Sequence, residues 1–273
     1  MTDESNVQST ASAVKGILEA VPVYQDVVQP AAKEVGMALQ TVAQTIHILL
    51  APVSGLVWGY DQIKDFVGTR VAEKLSSVPK ERLRTPEPNI AGPALESLRY
   101  TGHKEELREL YASLLATSMD AENLAQAHPA FVEMIRQFSS DEAKMVRSLA
   151  YSGARALIDV RNHQDTPPAG GRWVLKHFTM VPYEADCATP EFGPAYMVNL
   201  QRLGLVELRE NYQLNPQDDV DQYQVLLDHP IIKSLSEEIK QEPGHRPVIW
   251  RGAVHLTPLG RQFCQACVYE AHV

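Results

Sequence analysis

The sequence has few cysteines and no secretory leader. Three cysteines occur among 273 residues. The residues after Met1 lack the charged stretch, apolar stretch and small-residue cleavage site of a signal peptide. Disulfide-rich secreted domains use many more cysteines for their size. We therefore expect a protein of a reducing compartment, the cytoplasm.

Basic residues are fewer than acidic residues. Lys and Arg together number 25, against 34 Asp and Glu, which gives a formal charge of -9. An acidic chain repels nucleic acid and anionic lipid, so non-specific capture by either is disfavoured. We therefore expect the main partner to be something other than nucleic acid.

Motifs for nucleotide and acyl chemistry are missing from the sequence. There is no Gly-rich loop ending in Lys-Ser or Lys-Thr, and no set of spaced glycines follows a predicted strand. No Gly-x-Ser-x-Gly nucleophile elbow occurs either. The sequence thus offers no catalytic residue and no cofactor site, and we expect a protein that is not an enzyme.

Charged residues are also missing from the stretch 35–60. The stretch is long enough to cross about 30 Å of hydrocarbon as a helix, but Gln, Thr and His side chains occupy its first half and Pro52 interrupts its second half. Its apolar residues recur every three or four positions, which favours an amphipathic helical hairpin packed on its own domain. Membrane contact, by insertion or along the interface, is the alternative. The residues available for membrane or partner contact are Leu49, Leu50, Val53, Leu56, Val57 and Trp58.

Helical periodicity dominates the first half of the chain, which we interpret as a disordered polar tail over 1–10 followed by an N-terminal helical bundle. A helical region containing the apolar hairpin covers 11–82, with one helix predicted over Ser54 to Leu75. A Pro-rich connector then opens a middle helical region over 83–138. Pro93 is expected in the first turn of the next helix, and Glu105 to Met119 carries a leucine stripe typical of another.

From residue 139 onward the pattern becomes helix, strand, helix, strand, strand, helix. Strands are predicted at Ala156 to Val160, Leu205 to Arg209 and Val248 to Leu256. The segment Trp173 to Phe178, which lies between the first strand and the next helix, is not assigned to an element. This order is typical of a winged helix, so residues 139–270 are interpreted as an α/β winged-helix-like C-terminal domain. The predicted fold class is therefore mainly α. A long insert, Gln213 to Arg246, is atypical for a wing.

A winged helix raises the question of DNA binding. The candidate recognition helix, Glu191 to Leu203, offers Asn199, Gln201 and Arg202 for winged-helix contacts. However, residues 181–273 contain 13 acidic and 7 basic residues, which repel phosphate. We therefore favour a protein-contact module and keep a DNA-binding regulator as the weaker alternative.

Two isolated features invite chemical interpretations. Cys264 and Cys267 could offer two thiolates to a metal, but a structural zinc site needs four ligands, and only Cys187 or His255 could be added. Cysteines packed inside a helical core are the preferred interpretation, so we expect no metal. His128 precedes Pro129 at a helix start, where we favour a capping role over acid–base catalysis.

Several blocks of the sequence, in order, resemble the Abi-alpha family, which is named for abortive phage infection. The blocks are Pro30 to Gly36, Leu50 to Tyr60, Ile90 to Glu96, Leu107 to Ala116, His128 to Glu133 and Thr257 to Cys267. The resemblance implies a role in bacterial defence against phage by halting growth or killing the infected cell. It implies no known catalytic residues.

Together these observations predict a non-enzymatic defence protein. It would act through contact with a host or phage protein, or through self-assembly into a homo-oligomer. The alternative is a membrane-perturbing effector that uses the 35–60 segment and associates with the inner membrane.

Overall fold

The computed structural model describes residues 58–167, 169–215 and 221–269, and they divide into two compact units. The first unit comprises the described residues up to Ser140 together with those from Gln262 onward. The second unit is Asp141–Arg261. The boundary between the two units lies between Ser140 and Asp141, next to residue 139, where the last domain was predicted to start. The residues on both sides of the Pro-rich connector, where another boundary was predicted at residue 83, belong to the same unit.

The described part of the first unit is helical. Its helices are α1 (Tyr60–Phe66), α2 (Ala72–Leu75), α3 (Pro88–Thr101), α4 (Glu105–Ser118) and α5 (Ala130–Arg136). A π-helical turn, Val67–Val71, joins α1 to α2. Short 3-10 turns occur at Lys80–Arg82 and Leu124–Gln126.

The helix α4 has both apolar periodicity and acidic residues in its first turn, which favour a helix N-terminus. Leu107, Leu110 and Leu114 are each at most 1% exposed, as the predicted stripe requires. Tyr111 on the same helix is fully buried and donates its hydroxyl to the carbonyl oxygen of Val132 at 3.3 Å. The core of this unit therefore forms around α4.

Two predicted helix starts in this unit were wrong. The helix expected to begin at Ser54 begins at Tyr60, after Gly59, whose amide donates to the Gln62 side chain at 2.9 Å. The helix expected to begin at Pro93 begins at Pro88. Pro93 lies inside it and cannot donate a helical hydrogen bond, but Ile90 and Leu95 on either side are buried, and this packing stabilises the helix.

The second unit combines helices with one antiparallel sheet of four strands in the order β2-β1-β4-β3. The strands are β1 (Arg155–Gln164), β2 (Gly170–Phe178), β3 (Val206–Arg209) and β4 (His245–Leu256). The helices are α6 (Ser140–Ser152), α7 (Val181–Glu184), α8 (Gly193–Arg202), α9 (Gln222–Asp228) and α10 (Pro230–Gln241), with a 3-10 turn at Pro190–Phe192. The last helix, α11 (Pro258–Cys267), begins in this unit, and its residues from Gln262 onward belong to the first unit.

One face of the sheet carries the core of the second unit. The helix α9 packs on β1, and α10 packs on β4. Alternate residues of a strand point to opposite faces, so Ile158 and Val160 share the covered face. The buried residues of this core are Ala156, Ile158, Val160, Phe178, Leu214, Tyr223, Leu226, Ile232, Ile239 and Ala253.

The helices α9 and α10 fill the long insert, for which no element was predicted. The start of α10 contains a local signal, because Pro230 occupies the first helical position and the His229 side chain accepts the amide of Ile231 at 3.3 Å. Ile232 and Ile239 recur at helical spacing and are buried.

The predicted class, mainly α with strands in the C-terminal part, is confirmed. The four-stranded antiparallel sheet contains the three predicted strands, although β1 and β4 extend further than expected. The fourth strand, β2, covers the segment Trp173 to Phe178, which was not predicted to be a strand. The more specific winged-helix and N-terminal-bundle interpretations stay predictions.

A buried carboxylate anchors the N-terminal end of α6. Asp141 is 6% exposed and accepts the amides of Ala188 and Thr189 at 2.8 and 3.0 Å. The hydroxyls of Thr189 and Tyr196 also donate to it. Burial by itself would raise the pKa of Asp141, but these hydrogen bonds outweigh it and lower the pKa below its ordinary value.

We predict that Asp141→Asn destabilises the protein by about 2 kcal/mol at pH 7, because an amide cannot accept all of these hydrogen bonds. A carboxylate whose pKa is lowered in the folded state stabilises the fold at pH values above its unfolded-state pKa of about 3.9. This contribution disappears as the pH falls through the folded-state pKa. The stability difference between wild type and variant should therefore narrow below about pH 4.

Urea unfolding of both proteins at a series of pH values measures this difference. The exposed Asp186 serves as the control, because Asp186→Asn changes a solvated carboxylate of the same unit. An equal stability difference at pH 7 and pH 3 would contradict the assignment.

Candidate functional site

The second face of the sheet is covered at one end and open at the other. At the covered end, α8 packs against β2 and β3, and Val206 and Leu208 are buried. Toward the other end, the β1–β4 register places Asp159 beside Trp250 and Arg161 beside Val248. The residues of β1 here alternate with the core residues Ile158 and Val160, so they lie on the opposite face.

Two tryptophans meet on this open face. The ring centroids of Trp173 and Trp250 lie 5.0 Å apart and the rings are nearly perpendicular, at 88°. Two cations lie over Trp173, with Arg161 Cζ 5.7 Å and Lys176 Nζ 5.6 Å from the ring centroid. Trp173 is 37% exposed. We name Arg161, Trp173, Lys176 and Trp250 the tryptophan surface.

A β-bulge in β2 lies next to this surface. Ile158 pairs with Phe178, whereas Val160 pairs with Leu175, so Lys176 and His177 together oppose Asp159. His177 has a φ of 59°, which is uncommon for a residue with a side chain. Its amide cannot join the regular ladder and instead donates to Asp159 Oδ1 at 2.6 Å. The carboxylate of Asp159 therefore holds the bulge in place.

The bulge brings three potential ligands together. Asp159, His177 and Glu210 each place one oxygen or nitrogen so that the three atoms lie within 4.8 Å of one another. The Asp159 side chain is 3% exposed and that of His177 is 12% exposed, while Glu210 lies nearer the solvent. Lys176 Nζ lies 2.5 Å from Glu210 Oε1 and so connects this cluster to the tryptophan surface.

Burial dominates the electrostatics of the cluster. It raises the pKa of Asp159, and the hydrogen bond and charge of His177 offset only part of the effect. Burial likewise lowers the pKa of His177, against the opposing charge of Asp159. The hydrogen bond from Lys176 lowers the pKa of Glu210. At neutral pH the imidazole is therefore uncharged, which is the form that binds metal ions.

Two clefts among the described residues are weaker candidates for a functional site. A cleft of about 330 Å³ in the first unit is lined by Arg70, Lys74 and Asp120, among others. Arg70 is paired there with Glu73 and Glu109, so its charge is already compensated within the protein. A cleft of about 270 Å³ in the second unit contains the ion pair of Arg155 and Glu184.

The predicted winged-helix contact residues all lie on α8. Asn199 donates to Glu142 Oε1 at 2.5 Å, and its own amide oxygen accepts from Arg202 at 2.6 Å. Gln201 is exposed. Asn199 and Arg202 are thus engaged with each other and with an acidic residue, an arrangement that serves the local structure.

The two candidate metal cysteines are buried in α11. Cys264 is fully buried and Cys267 is 1% exposed. Burial raises the pKa of Cys264 to about 12, so the thiolate that a metal requires is disfavoured. The group of three ligands found among the described residues includes neither cysteine.

The remaining predicted residues are only partly covered by the structure. Leu49, Leu50, Val53, Leu56 and Val57 lie outside the described residues. Trp58 is half-buried and packs edge-on against Phe66, with ring centroids 5.5 Å apart. Its role in membrane or partner contact stays a prediction. His128 Nδ1 accepts the amide of Ala130 at 3.1 Å, a local bond across the start of α5. The N-cap of this helix is Pro129, so a capping role for His128 stays a prediction.

Sequence reasoning missed the tryptophan surface and the three-ligand cluster. The strands β1 and β4 were predicted, but β2, which carries Trp173 and His177, was not. Each tryptophan stands next to an arginine, as Arg172-Trp173 and Trp250-Arg251. This pairing was an available signal for an exposed aromatic surface. The bulge at His177 left no comparable signal.

Comparisons with known proteins identify a family. The family model described as abortive infection alpha matches residues 59–267. Among solved structures, the chain is similar to an uncharacterized protein from the hydrocarbon-degrading marine bacterium Alcanivorax borkumensis SK2. The two are 19% identical with a TM-score of 0.37, and the match covers 53% of this chain and 96% of that chain. No curated protein matches.

The role of Asp159 at the bulge can be tested by two substitutions. We predict that Asp159→Ala destabilises the protein by about 2 kcal/mol, because it leaves the partly buried amide of His177 without an acceptor. Asp159→Asn keeps a side-chain oxygen for this amide and should recover at least half of the loss. Chemical denaturation measures both, and equal losses for the two variants would show that the hydrogen bond does not hold the bulge.

Proposed function

The chain belongs to the abortive infection alpha family, and on that premise we propose that it defends a bacterial cell against phage without catalysing a reaction. In this proposal it acts through contact with a host or phage protein, or through self-assembly. The family match over residues 59–267 is the observation that carries the defence role.

The tryptophan surface supports action through protein contact. Tryptophan and arginine are enriched among the residues that dominate binding at protein interfaces. Here a partly exposed tryptophan, Trp173, is supported from the side by Trp250 and flanked by Arg161 and Lys176. Such a surface suits a protein partner that presents acidic groups around an apolar centre.

We further propose that the C-terminal part functions as a winged-helix-like contact module and not as a DNA reader. The helix α8 would be the recognition helix of such a module. Asn199 and Arg202 on this segment bond to each other, and Asn199 also bonds to Glu142. The acidic charge of the surrounding sequence disfavours phosphate as a partner.

A membrane-perturbing effector is the second candidate function. It rests on the uncharged stretch 35–60, most of which lies outside the described residues. Within the part of the chain that the structure describes, no helix has both the length and the apolar character needed to cross a bilayer. Partition of the purified protein between buffer and anionic liposomes, compared with Leu50→Asp and Val57→Asp, measures any use of this stretch.

For the leading proposal, we predict that Trp173→Ala reduces protection against phage by at least about tenfold. An aromatic residue at the centre of an interface typically contributes about 2 kcal/mol or more, equivalent to roughly thirtyfold in affinity. The measurement is the efficiency of plating, on cells expressing either protein, of phages against which the wild type protects. Arg161→Glu should weaken protection as well, because it reverses the charge facing an acidic partner.

Tyr100→Ala is the matched control, because Tyr100 is an aromatic residue of the first unit that is 56% exposed. It should leave protection unchanged. Sedimentation of wild type and Trp173→Ala then distinguishes self-assembly from contact with another protein. If the surface mediates self-assembly, the measured mass of the variant must differ from that of the wild type. Full protection by folded Trp173→Ala and Arg161→Glu would rule out the tryptophan surface, and failure of the wild type against every phage tested would rule out the defence role.

A further inference from the structure

We propose that Asp159, His177 and Glu210 form a binding site for a divalent transition-metal cation. The proposal concerns a different property from the defence role and does not rest on it. Metal binding is measured on the purified protein, so either proposal can fail while the other stands.

The spacing of the three side chains fits a small ion. Zinc binds nitrogen and oxygen at about 2.1 Å, so two tetrahedral ligand atoms stand about 3.4 Å apart. His177 Nδ1 and Asp159 Oδ1 are separated by 3.7 Å, close to this value. All three ligand atoms lie within 4.8 Å of one another. Glu210 is 40% exposed, so rotation of its side chain can close the remaining gap.

The buried imidazole nitrogen is the strongest indication of a ligand. Among the described residues, His177 Nδ1 is buried and has no hydrogen-bond partner. It faces Asp159 Oδ1, but 3.7 Å is too long for a hydrogen bond. Buried polar atoms are nearly always satisfied, and a metal ion between the two groups would satisfy both. The bulge aims the ring in this direction, and bulges often re-aim side chains at functional sites.

The donor set selects the class of metal. One imidazole nitrogen with two carboxylates suits zinc, manganese or ferrous iron, whereas magnesium and calcium prefer oxygen ligands alone. Three protein ligands leave a coordination position for water or for a side chain of a partner. A bound cation would also supply positive charge beside the Asp159 carboxylate, whose burial is otherwise unfavourable.

Lys176 completes the arrangement from outside. Its ammonium group donates to Glu210 Oε1 at 2.5 Å, which holds the carboxylate next to the cluster. Groups that orient a metal ligand in this way commonly support its affinity. Because Lys176 also lies over Trp173, the proposed site adjoins the tryptophan surface.

Calorimetric titration of the metal-free, full-length protein with Zn²⁺ tests the site. We expect one Zn²⁺ per chain, and we expect His177→Gln and Glu210→Gln each to weaken binding at least tenfold. Glu210 is partly exposed, so its substitution keeps the test valid if the His177 variant fails to fold. Co²⁺ in place of Zn²⁺ should give visible absorption without the intense thiolate-to-metal band that binding to Cys264 or Cys267 would produce.

His163→Gln is the matched control. His163 on β1 has Nε2 3.4 Å from Oδ1 of Asp165, just after the strand, but this pair is not part of a three-ligand group among the described residues. Zn²⁺ binding should be unchanged in this variant. The proposal is overturned if the wild type binds no Zn²⁺ at one per chain, if Glu210→Gln binds as tightly as the wild type, or if the thiolate band appears.

Discussion

Ten consecutive residue pairs join β1 to β4, from Arg155–Val254 to Gln164–His245, and this antiparallel ladder positions the other parts of the second unit. Because side chains alternate along each strand, the ladder separates the apolar residues beneath α9 and α10 from the tryptophan surface on the opposite face. A shift of one residue in this register would exchange the two faces and expose the core. Burial of Ile158 and Val160 therefore also fixes where Asp159 and Trp250 appear.

The bulge in β2 shows how the same sheet combines stability with a candidate site. A regular hairpin would pair one residue with Asp159, but the bulge presents both Lys176 and His177. The two side chains then lie in different environments. Lys176 reaches Trp173 and Glu210 near the solvent, while the imidazole of His177 remains close to the buried carboxylate. One local irregularity thus connects the tryptophan surface to the three-ligand cluster.

Several charged residues of the first unit are paired within it. Glu109 on α4 forms ion pairs with Arg70 and Lys74, and Asp120 forms an ion pair with Arg82. Backbone bonds from Arg84 to Met119 and from Ala121 to Arg82 tie the Pro-rich connector to the end of α4. These hydrogen bonds explain why the connector does not separate two units, although its prolines interrupt the helix. In the second unit, Trp173 and Glu210 are partly exposed and so are accessible to a partner or an ion.

The sequence by itself determined the family, the helical character of the first unit and the approximate place of three of the four strands, because these depend on ordered motifs and local periodicity. The stripe on α4 and the strands around Ile158 and Val254 are of this kind. Only the tertiary structure decided that Asp159, His177 and Glu210 meet, since they come from β1, from the bulge of β2 and from the turn just after β3. A bulge depends on the balance between ladder hydrogen bonds and side-chain burial across strands, and that balance has no periodic signature in the chain.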